Sequence, residues 1–359
     1  MNPSFWKGRR VLLTGHTGFK GAWLAAWLHR MGAEVTGYAL APETDPNLWS
    51  LLDLPGVRSV IADLNDRAAL DRTISEARPD VILHLAAQAL VRRSYRTPVE
   101  TFATNVTGTV NLMDAARACP DLRAIVIVTS DKCYDNREQI WGFRETDPMG
   151  GRDPYSASKG ATEIAAAAMA ASYFAPHGGH PARVAMGRAG NVIGGGDWSE
   201  DRLVPDIVRG CLGAEGLVTL RAPGSVRPWQ HVLEPLRGYL MLAERLAAGD
   251  DTATGGWNFG PDRRDERAVL DVAKAVVSAL GRGRIEIDPA AAALHEAKML
   301  RIDSTKARLG LGWAPVTDFD DCIRLTAAWY AGWHQGLSAR DLCDDQASAY
   351  EQMLMKDRL

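Results

Sequence analysis

Three glycines at every third position, in the stretch "LLTGHTGFKG" (residues 12–21), restrict what this chain can fold into more than any other feature. An apolar, β-type run, "RVLLTG" (10–15), leads into them, and apolar residues at helical spacing, "GAWLAAWLHRMG" (21–32), follow them. A turn without side chains lets backbone N–H groups and the N-terminus of a helix approach a pyrophosphate. We therefore predict a dinucleotide-binding turn; a tight glycine turn without a ligand is the alternative.

The glycine turn is the start of a regular alternation of strands and helices. Further strands are predicted for "AEVTGYAL" (33–40), "VRSVIADL" (57–64), "VILHLAAQ" (81–88), "RAIVIVTS" (123–130) and "ARVAMGRAGNV" (182–192), with helices over 68–80, 98–118 and 155–173 between them. Parallel strands need crossovers of this size, so the fold class is α/β, a Rossmann-like doubly wound parallel sheet.

The regular alternation of strands and helices ends after Asn191, where the stretch "IGGGDWSEDRLVPD" begins with a glycine-rich loop. We expect a smaller C-terminal substrate-binding α/β lobe there. The predicted division is a dinucleotide-binding domain over 1–190 and about 232–261, the lobe over 191–231 and 262–340, and a helical tail over 341–359.

Composition excludes several classes of function. With 359 residues and a formal net charge of -3, the chain offers no broad basic face for nucleic acid. The five cysteines have no metal-ligand spacing, and the longest apolar run, "IAAAAMAAS" (164–172), is too short to cross a membrane. We expect a cytoplasmic protein with reduced thiols, without metal, nucleic-acid or membrane partners.

The preference for NAD or NADP depends on the end of the second strand. A carboxylate that holds the ribose 2′-hydroxyl usually stands about 20 residues beyond the glycines. Tyr38, Ala39 and Leu40 occupy this stretch, so neither that carboxylate nor an arginine for a 2′-phosphate is present. NAD is our expectation, with NADP left open. Asp63, after the third strand, either binds the adenine or caps the next helix.

Two groups of polar residues carry the predicted chemistry. "DPYSASKGATE" (153–163) places Tyr155 and Lys159 one helical turn apart, where an ammonium can stabilise a phenolate that takes a proton from an alcohol. "VTSDKCYDN" (128–136) places Ser130, Asp131 and Lys132 directly after a strand. The alternative for this trio is a set of caps for the turn.

These motifs resemble the extended short-chain dehydrogenase/reductase superfamily, and within it the CDP-glucose 4,6-dehydratases. The resemblance covers roughly residues 5–330. It is carried by "GHTGFKGAWL" (15–24), "SDKCYDN" (130–136), "GGRDPYSASKG" (150–160), "RAGNVIGGGDW" (188–198), "EDRLVPD" (200–206) and "RPWQHV" (227–232). The glycine loop and the Tyr/Lys pair identify only the superfamily, whereas Lys20, Lys132 and "RPWQHV" indicate the subgroup.

The resemblance implies a specific sequence of steps on a nucleotide-linked glucose. Tyr155, helped by Lys159, removes the proton of the 4-hydroxyl as hydride passes from C4 to NAD. A base then takes the C5 hydrogen, Asp131 protonates the departing C6 hydroxyl, and hydride returns to C6. Ser130 binds the 4-oxygen. Lys132 stands where the dTDP-glucose relatives have a glutamate, so it is either a base with a lowered pKa or an electrostatic stabiliser of the enolate.

Binding residues follow from the same motifs. For the cofactor we expect contacts from Gly15, His16, Thr17, Gly18, Phe19, Lys20, Gly21, Asp63, Leu64, Leu85, Ala86, Ala87, Asn105, Tyr155 and Lys159. For the nucleotide sugar we expect them from Gln88, Asn191, Arg202, Leu203, Arg221, Arg227 and His231. Lys20 is alternatively a solvated residue of the first helix, and His231 a buttress between the lobes.

Assembly and pathway are further expectations. Small residues on the helices near 98–118 and 155–173 indicate a homodimer or a tetramer, unless that face packs on its own sheet. The resemblance implies deoxysugar synthesis for a cell-surface polysaccharide such as a lipopolysaccharide O-antigen. The competing functions are a dehydratase or 4-epimerase acting on a dTDP-, UDP- or GDP-sugar, and a non-catalytic NAD(P)-binding sensor.

Overall fold

A parallel sheet forms the centre of the computed structural model, which describes residues 1–288 and 300–356. Across the sheet the strands are β11 (Gly255–Phe259), β7 (His180–Ala189), β5 (Ala124–Val128), β4 (Val81–His84), β1 (Arg10–Thr14), β2 (Glu34–Ala39) and β3 (Arg58–Ile61), with the short β6 (Phe174–Ala175) beside β7. The chain order reverses between β1 and β4. In a sheet of this kind ligands bind at that reversal, beyond the carboxyl ends of the strands.

Helices cover both faces of this sheet. They are α1 (Pro3–Trp6), α2 (Phe19–Arg30), α3 (Leu48–Leu52), α4 (Arg67–Ala77), α5 (Val91–Arg96), α6 (Pro98–Phe102), α7 (Gly108–Ala116), α8 (Pro154–Tyr173) and α10 (Leu233–Ala247). Successive residues of β1 serve two separate cores: Val11 and Leu13 pack in one, and Leu12 packs in the other. This two-sided burial confirms the predicted doubly wound α/β fold.

The predicted helix over 98–118 is interrupted. A π-helical turn, Ala103–Thr107, separates α6 from α7. Proline at the start of α6 and the β-branched residues after it are consistent with this irregularity, but the sequence pattern did not reveal it.

The second lobe is built from shorter elements. They are β8 (Asn191–Ile193), α9 (Leu203–Leu212), β9 (Leu217–Leu220), β10 (Val226–His231), β12 (Glu266–Ala268), α11 (Val269–Leu280), β13 (Arg284–Ile287) and α12 (Phe319–His334). β10 lies between β8 and β12, and β9 pairs with β13. Residues 289–299 of the predicted lobe and 357–359 of the predicted tail lie outside the described residues. The domain boundaries stay a prediction.

A last helix, α13 (Ala339–Lys356), packs against α2. Trp27 Nε1 on α2 donates a 2.9 Å hydrogen bond to Glu351, and Tyr350 donates a 2.7 Å bond to buried Glu234 on α10. The helix that follows the glycine turn is thus held from behind. Within residues 1–288 and 300–356, we find no helix with the length and apolar character of a membrane span.

Candidate active site

A cleft of about 670 Å³ lies between the carboxyl ends of the central strands and the second lobe. The predicted residues that line it are Gly15, Thr17, Gly18, Phe19, Lys20, Gly21, Asp63, Leu64, Leu85, Ala86, Ala87, Gln88, Ser130, Asp131, Lys132, Tyr155, Lys159, Asn191, Arg202, Leu203, Arg221 and Arg227. These residues are spread over more than two hundred positions of the sequence, and the fold brings them to one cavity.

The glycine turn is shaped by contacts within the protein and leaves one side open. Gly15 has φ +76°, and an added β-carbon would stand 2.7 Å from Ala86 N. At Gly21 a β-carbon would stand 2.0 Å from Gly15 O. At Gly18, by contrast, the nearest atom would be 3.5 Å away, an ordinary contact. The protein itself therefore leaves room at Gly18, where a ligand pyrophosphate would approach the N-terminus of α2.

The surroundings of this turn also suit a dinucleotide. Thr14 Oγ1 accepts hydrogen bonds from Leu85 N and Ala86 N, which fixes the loop after β4. Asp63 Oδ1 accepts from Asn65 N at 2.8 Å, while the N-cap of α4 is Asp66. Asp63 is therefore not the helix cap, and it lines the cleft near the expected adenine position.

His16 is turned away from the cleft, which corrects its expected placement beside the phosphates. Its Nε2 lies 2.7 Å from Ser59 Oγ, its ring packs edge-on against Trp49, and a β-carbon at Gly37 would overlap the ring. Burial lowers the pKa of His16 to about 4. A neutral, enclosed imidazole supports the turn from below and does not bind a cofactor with its side chain.

Asn105 also acts from behind the cleft, contrary to the expected direct contact. Its amide oxygen accepts from Gln88 N at 2.8 Å, and its Nδ2 donates to Gln88 O and to Ser158 Oγ. Because Gln88 lines the cleft and Ser158 lies on α8, Asn105 joins the loop after β4 to the helix that carries Tyr155.

His231 is the third corrected placement. It is fully buried against Trp23, and burial lowers its pKa to about 3. It lies at the end of β10 and does not line the cleft, and its contact with Trp23 on α2 makes it a buttress between the two lobes.

Tyr155 occupies the first turn of α8. Asp153 caps this helix by accepting from Ser156 N, and Ser94 Oγ accepts from Tyr155 N at 3.1 Å. Burial raises the pKa of Tyr155, and the charge of Arg202 and a hydrogen bond with Ser130 oppose this rise. The sequence predicted Lys159 for that electrostatic task. Arg202, whose Nη2 donates to Ala89 O across the cleft, is the cation with the largest effect.

Asp131 and Ser130 lie close to the same phenol. Ser130 Oγ donates to Asp131 Oδ1 at 2.9 Å, and the Ser130 hydroxyl is one of the groups that lower the pKa of Tyr155. Burial raises the pKa of Asp131, although Lys132, Ser130 and other neighbours oppose the rise. A carboxyl group whose pKa is raised beside the phenol is chemically suited to act as a general acid.

Three lysines line this part of the cleft. Burial lowers the pKa of Lys159 to about 8, and its Nζ donates to Val128 O at 3.4 Å. Burial, with the charges of Arg202 and Lys159, lowers the pKa of Lys20 to about 8. Lys20 therefore faces the cleft and is not a solvated helix residue. Lys132 is half-buried beside Asp131.

The distal end of the cleft carries the expected substrate residues. Asn191 Nδ2 is buried and has no hydrogen-bond partner among the described residues, so it can serve a ligand oxygen. Arg221 is held by Asp201 at 2.9 Å and by Asp206 at 3.2 Å, which orients its guanidinium and reduces its availability for a phosphate.

Some relevant residues escaped the sequence analysis. Arg93 on α5 pairs with Glu43 at 2.7 Å and with Glu200 at 3.1 Å, so that it joins both sides of the cleft. Glu163, which shares α8 with Tyr155 and Lys159, forms a buried ion pair with Arg188. The sequence contained one indication of a role for Glu163, which stands one helical turn after Lys159. It contained no such indication for Arg93 or Arg188.

Comparisons with known proteins agree with this architecture. The sequence model of the GDP-mannose 4,6-dehydratase family matches residues 12–326. CDP-glucose 4,6-dehydratase of Salmonella typhimurium is 44% identical over 94% of this chain and 94% of its own length. UDP-glucose 4-epimerase of Thermus thermophilus, solved with NAD, has a TM-score of 0.77 at 26% identity, over 90% of this chain and 99% of its own. The dTDP-glucose 4,6-dehydratase of Streptomyces venezuelae, also solved with NAD, has a TM-score of 0.73 at 25% identity, over 90% of this chain and 98% of its own.

Proposed function

The chain belongs to the nucleotide-sugar dehydratase family described by the GDP-mannose 4,6-dehydratase model, and from this premise we propose that it converts CDP-glucose to CDP-4-keto-6-deoxyglucose and water. The enzyme is an NAD-dependent hydro-lyase of the extended short-chain dehydrogenase/reductase superfamily. The glycine turn from Gly15 to Gly21 would hold NAD, and the bound cofactor would supply the hydride transfer between sugar C4 and C6.

The residues of the cleft perform the proton transfers. Tyr155 takes the proton of the 4-hydroxyl, and Ser130 holds the resulting 4-oxygen in place. The ketone acidifies the C5 hydrogen, which leaves as a proton. Asp131 then delivers its proton to the C6 hydroxyl, which departs as water, and a proton returns to C5 when hydride is added at C6. The sugar loses one water overall, and the cofactor ends in its starting redox state.

The observation that carries this proposal is the placement of Asp131, bonded to Ser130 Oγ, in the same cleft as Tyr155. A 4-epimerase needs the phenol but eliminates nothing, so a second acid beside it has no task there. An enzyme that removes water needs that acid, because hydroxide is a poor leaving group.

The identity of the C5 base has two candidates. Lys132 lines the cleft next to Asp131 and takes the proton itself, or a bound water does so while Lys132 stabilises the enolate. We propose the second role, because Lys132 lines the cleft directly beside Asp131, where its side chain can face an enolate oxygen.

The base specificity rests on the relative that is 44% identical. The test is a panel of CDP-, dTDP-, UDP- and GDP-glucose offered to the purified, NAD-loaded protein, with the 4-keto-6-deoxy product detected by its absorbance in alkali. Turnover of CDP-glucose alone supports the assignment. Turnover of another nucleotide sugar with CDP-glucose inert would replace it.

We also propose a cytoplasmic homodimer that serves synthesis of a cell-surface polysaccharide. All five cysteines are free thiols, which suits a reducing compartment. Apolar side chains on α6 and α8 are exposed in the single chain, and pairing of two subunits would cover them: Val99, Phe102, Ile164 and Tyr173.

A further inference from the structure

A buried ion pair stands directly behind the catalytic groups. Glu163 lies on α8 one turn after Lys159 and two turns after Tyr155, and it accepts 2.9 Å hydrogen bonds from both Nε and Nη2 of Arg188. Both residues are only 3% exposed. Because taking two charges out of water is costly, a buried pair contributes little to stability compared with apolar packing. Its position beside the site points to another role.

The pair connects the two elements that bring the proton-transfer groups together. Thr129, directly before Ser130 and Asp131, donates its hydroxyl hydrogen to Glu163 Oε1. Glu163 on α8 is therefore bonded to the end of β5. A shift of α8 relative to β5 would break this bond and separate Tyr155 from Asp131.

Arg188 extends the network to the turn after β5. Its Nη1 donates to Tyr134 Oη at 2.6 Å and to Glu145 O at 3.2 Å, and Tyr134 in turn donates to Asn258 at 2.7 Å. Four of the five N–H donors of the guanidinium are thus bonded to fixed acceptors, which leaves the carboxylate of Glu163 little freedom.

The charge of Glu163 also acts on Lys159. The groups around that ammonium come from several elements: Cys133 from the turn after β5, His84 from β4 and Lys20 from α2. Burial lowers the pKa of Lys159, and the charge of Glu163 is the main opposing influence.

We propose that Glu163, clamped by Arg188, is a positioning residue that fixes Tyr155 and Lys159 relative to Ser130 and Asp131. Its carboxylate also favours the ammonium form of Lys159. The inference rests on the proposed function for the identity of the reaction, and its geometry is independent of the nucleotide that the substrate carries.

Glu163→Gln in the full-length, NAD-loaded protein tests the proposal. We expect kcat with CDP-glucose to fall about 10- to 100-fold with KM within about threefold, because the bound substrate loses its aligned groups. The alkaline limb of the kcat profile should move to lower pH, since an absent carboxylate and an uncompensated Arg188 both disfavour the ammonium of Lys159.

Two conservative variants separate charge from geometry. Glu163→Asp retains the charge, so the alkaline limb should return towards its wild-type position, whereas kcat stays low because the shorter side chain does not span Arg188 and Thr129. Arg188→Lys removes the bidentate hydrogen bonding to the carboxylate of Glu163 and should lower kcat in the same way. If Glu163→Gln does not fold, the same measurements on these two variants test the proposal.

A titration without substrate keeps this inference separate from the proposed function. Phenolate absorbance of the NAD-loaded protein, minus that of Tyr155→Phe, follows Tyr155 alone. The pKa of Tyr155 is raised and that of Lys159 is about 8, so Lys159 is already neutral where the phenol ionises. Glu163→Gln should therefore lower the pH of Tyr155 ionisation, because it removes a negative charge and leaves Arg188 uncompensated. If wild-type protein leaves CDP-glucose unchanged, the proposed function fails while this titration still decides the role of Glu163.

Glu234→Gln is the matched control. Glu234 is an equally buried carboxylate, bonded to Thr317 and Tyr350 on the opposite core. Its replacement should lower Tm without moving either pH profile. If Glu163→Gln behaves in the same way, lowering Tm while the kcat profile and the Tyr155 titration keep their wild-type positions, Glu163 is only structural and the inference is overturned.

Discussion

The carboxylate of Asp131 lies against the backbone of Gly190, where an added β-carbon would stand 2.9 Å from Oδ2. Pro228 borders the same space, with its Cγ 3.6 Å from that β-carbon. Glycine at the junction of β7 and β8 therefore leaves the room that the proposed acid occupies.

Gly190→Ala should displace the Asp131 side chain while leaving the fold intact, because the clash involves the end of a flexible side chain. We expect kcat to fall about 10- to 100-fold, the scale of a misplacement near 1 Å, with little change in Tm. Steady-state kinetics and thermal unfolding measure the two effects. Gly179→Ala, at a turn where a β-carbon meets no atom within 4 Å, is the control and should be neutral in both.

Asp131→Asn should uncouple the two halves of the reaction. Without the acid, product formation falls by about 10²- to 10⁴-fold. Oxidation at C4 does not need Asp131, so mixing with CDP-glucose should give a lasting rise in the absorbance of reduced nicotinamide. Stopped-flow spectroscopy measures this rise. Undiminished product formation by the variant would show that Asp131 is not the acid that protonates the C6 hydroxyl.

Arg93→Met should release NAD faster than the wild type. The bridges from Arg93 to Glu43 and to Glu200 cross the cleft at a partly exposed position. Together they are worth about 1 kcal/mol, or about fivefold in the release rate. Added salt should accelerate release from the wild type but not from the variant. Equal release rates, measured with displaced NAD, would contradict a closing role. Arg78→Met, which removes a pair with Asp121 elsewhere, serves as the control.

Three buried histidines should make the fold sensitive to acid. Burial lowers the pKa of His16 to about 4 and the pKa values of His84 and His231 to about 3. Below pH 6.5, roughly the ordinary pKa of histidine, the unfolded chain binds protons that these buried imidazoles do not bind in the folded protein. The free energy of unfolding therefore falls as the pH decreases.

Each of these histidines should remove about 1.4 kcal/mol from the free energy of unfolding per pH unit below about 6.5, until its folded-state pKa is reached. Tm measured from about pH 7 to about pH 4.5 follows this loss. His231→Asn should have a shallower slope than the wild type, and an unchanged slope would show that His231 binds its proton in the folded protein as readily as in the unfolded chain.

Charges introduced on the exposed face of α6 and α8 should dissociate the proposed dimer. Val99 is 83% and Ile164 is 63% exposed in the single chain. Val99→Glu with Ile164→Glu would place carboxylates inside the contact, so light scattering should report a monomer. Leu309→Glu, at an 84% exposed position outside this face, should leave the mass unchanged. A dimer that persists in the double variant would place the interface elsewhere.

The parts of the molecule that could be predicted from the sequence are those with local patterns. The glycine turn and the Tyr155/Lys159 pair combine a fixed spacing with an element boundary, and the structure places both at the cleft. The alternation of strands and helices predicted the doubly wound sheet for the same reason. Local spacing is sufficient where one element carries all the relevant residues.

Local patterns fail where a side chain's direction depends on distant packing. His16 stands inside the glycine motif, yet its ring fills the space that Gly37 leaves open beneath the turn. Arg202 resembles a phosphate ligand in the sequence, whereas the fold brings its charge to Tyr155. Glu163 and Arg188 are 25 positions apart and look like ordinary surface charges until two strands and a helix enclose them.

The packing of α13 against α2 limits how this protein could be divided. A fragment of residues 1–190 would include the whole glycine turn, but it would expose Trp27, which α13 helps to bury, and part of the apolar face of α2 to water. Such a fragment should aggregate instead of folding around NAD. The N-terminal and C-terminal halves of this protein therefore cannot be exchanged separately with those of a related enzyme. A chimaera must take residues 339–356 from the same parent as α2, the helix that they cover.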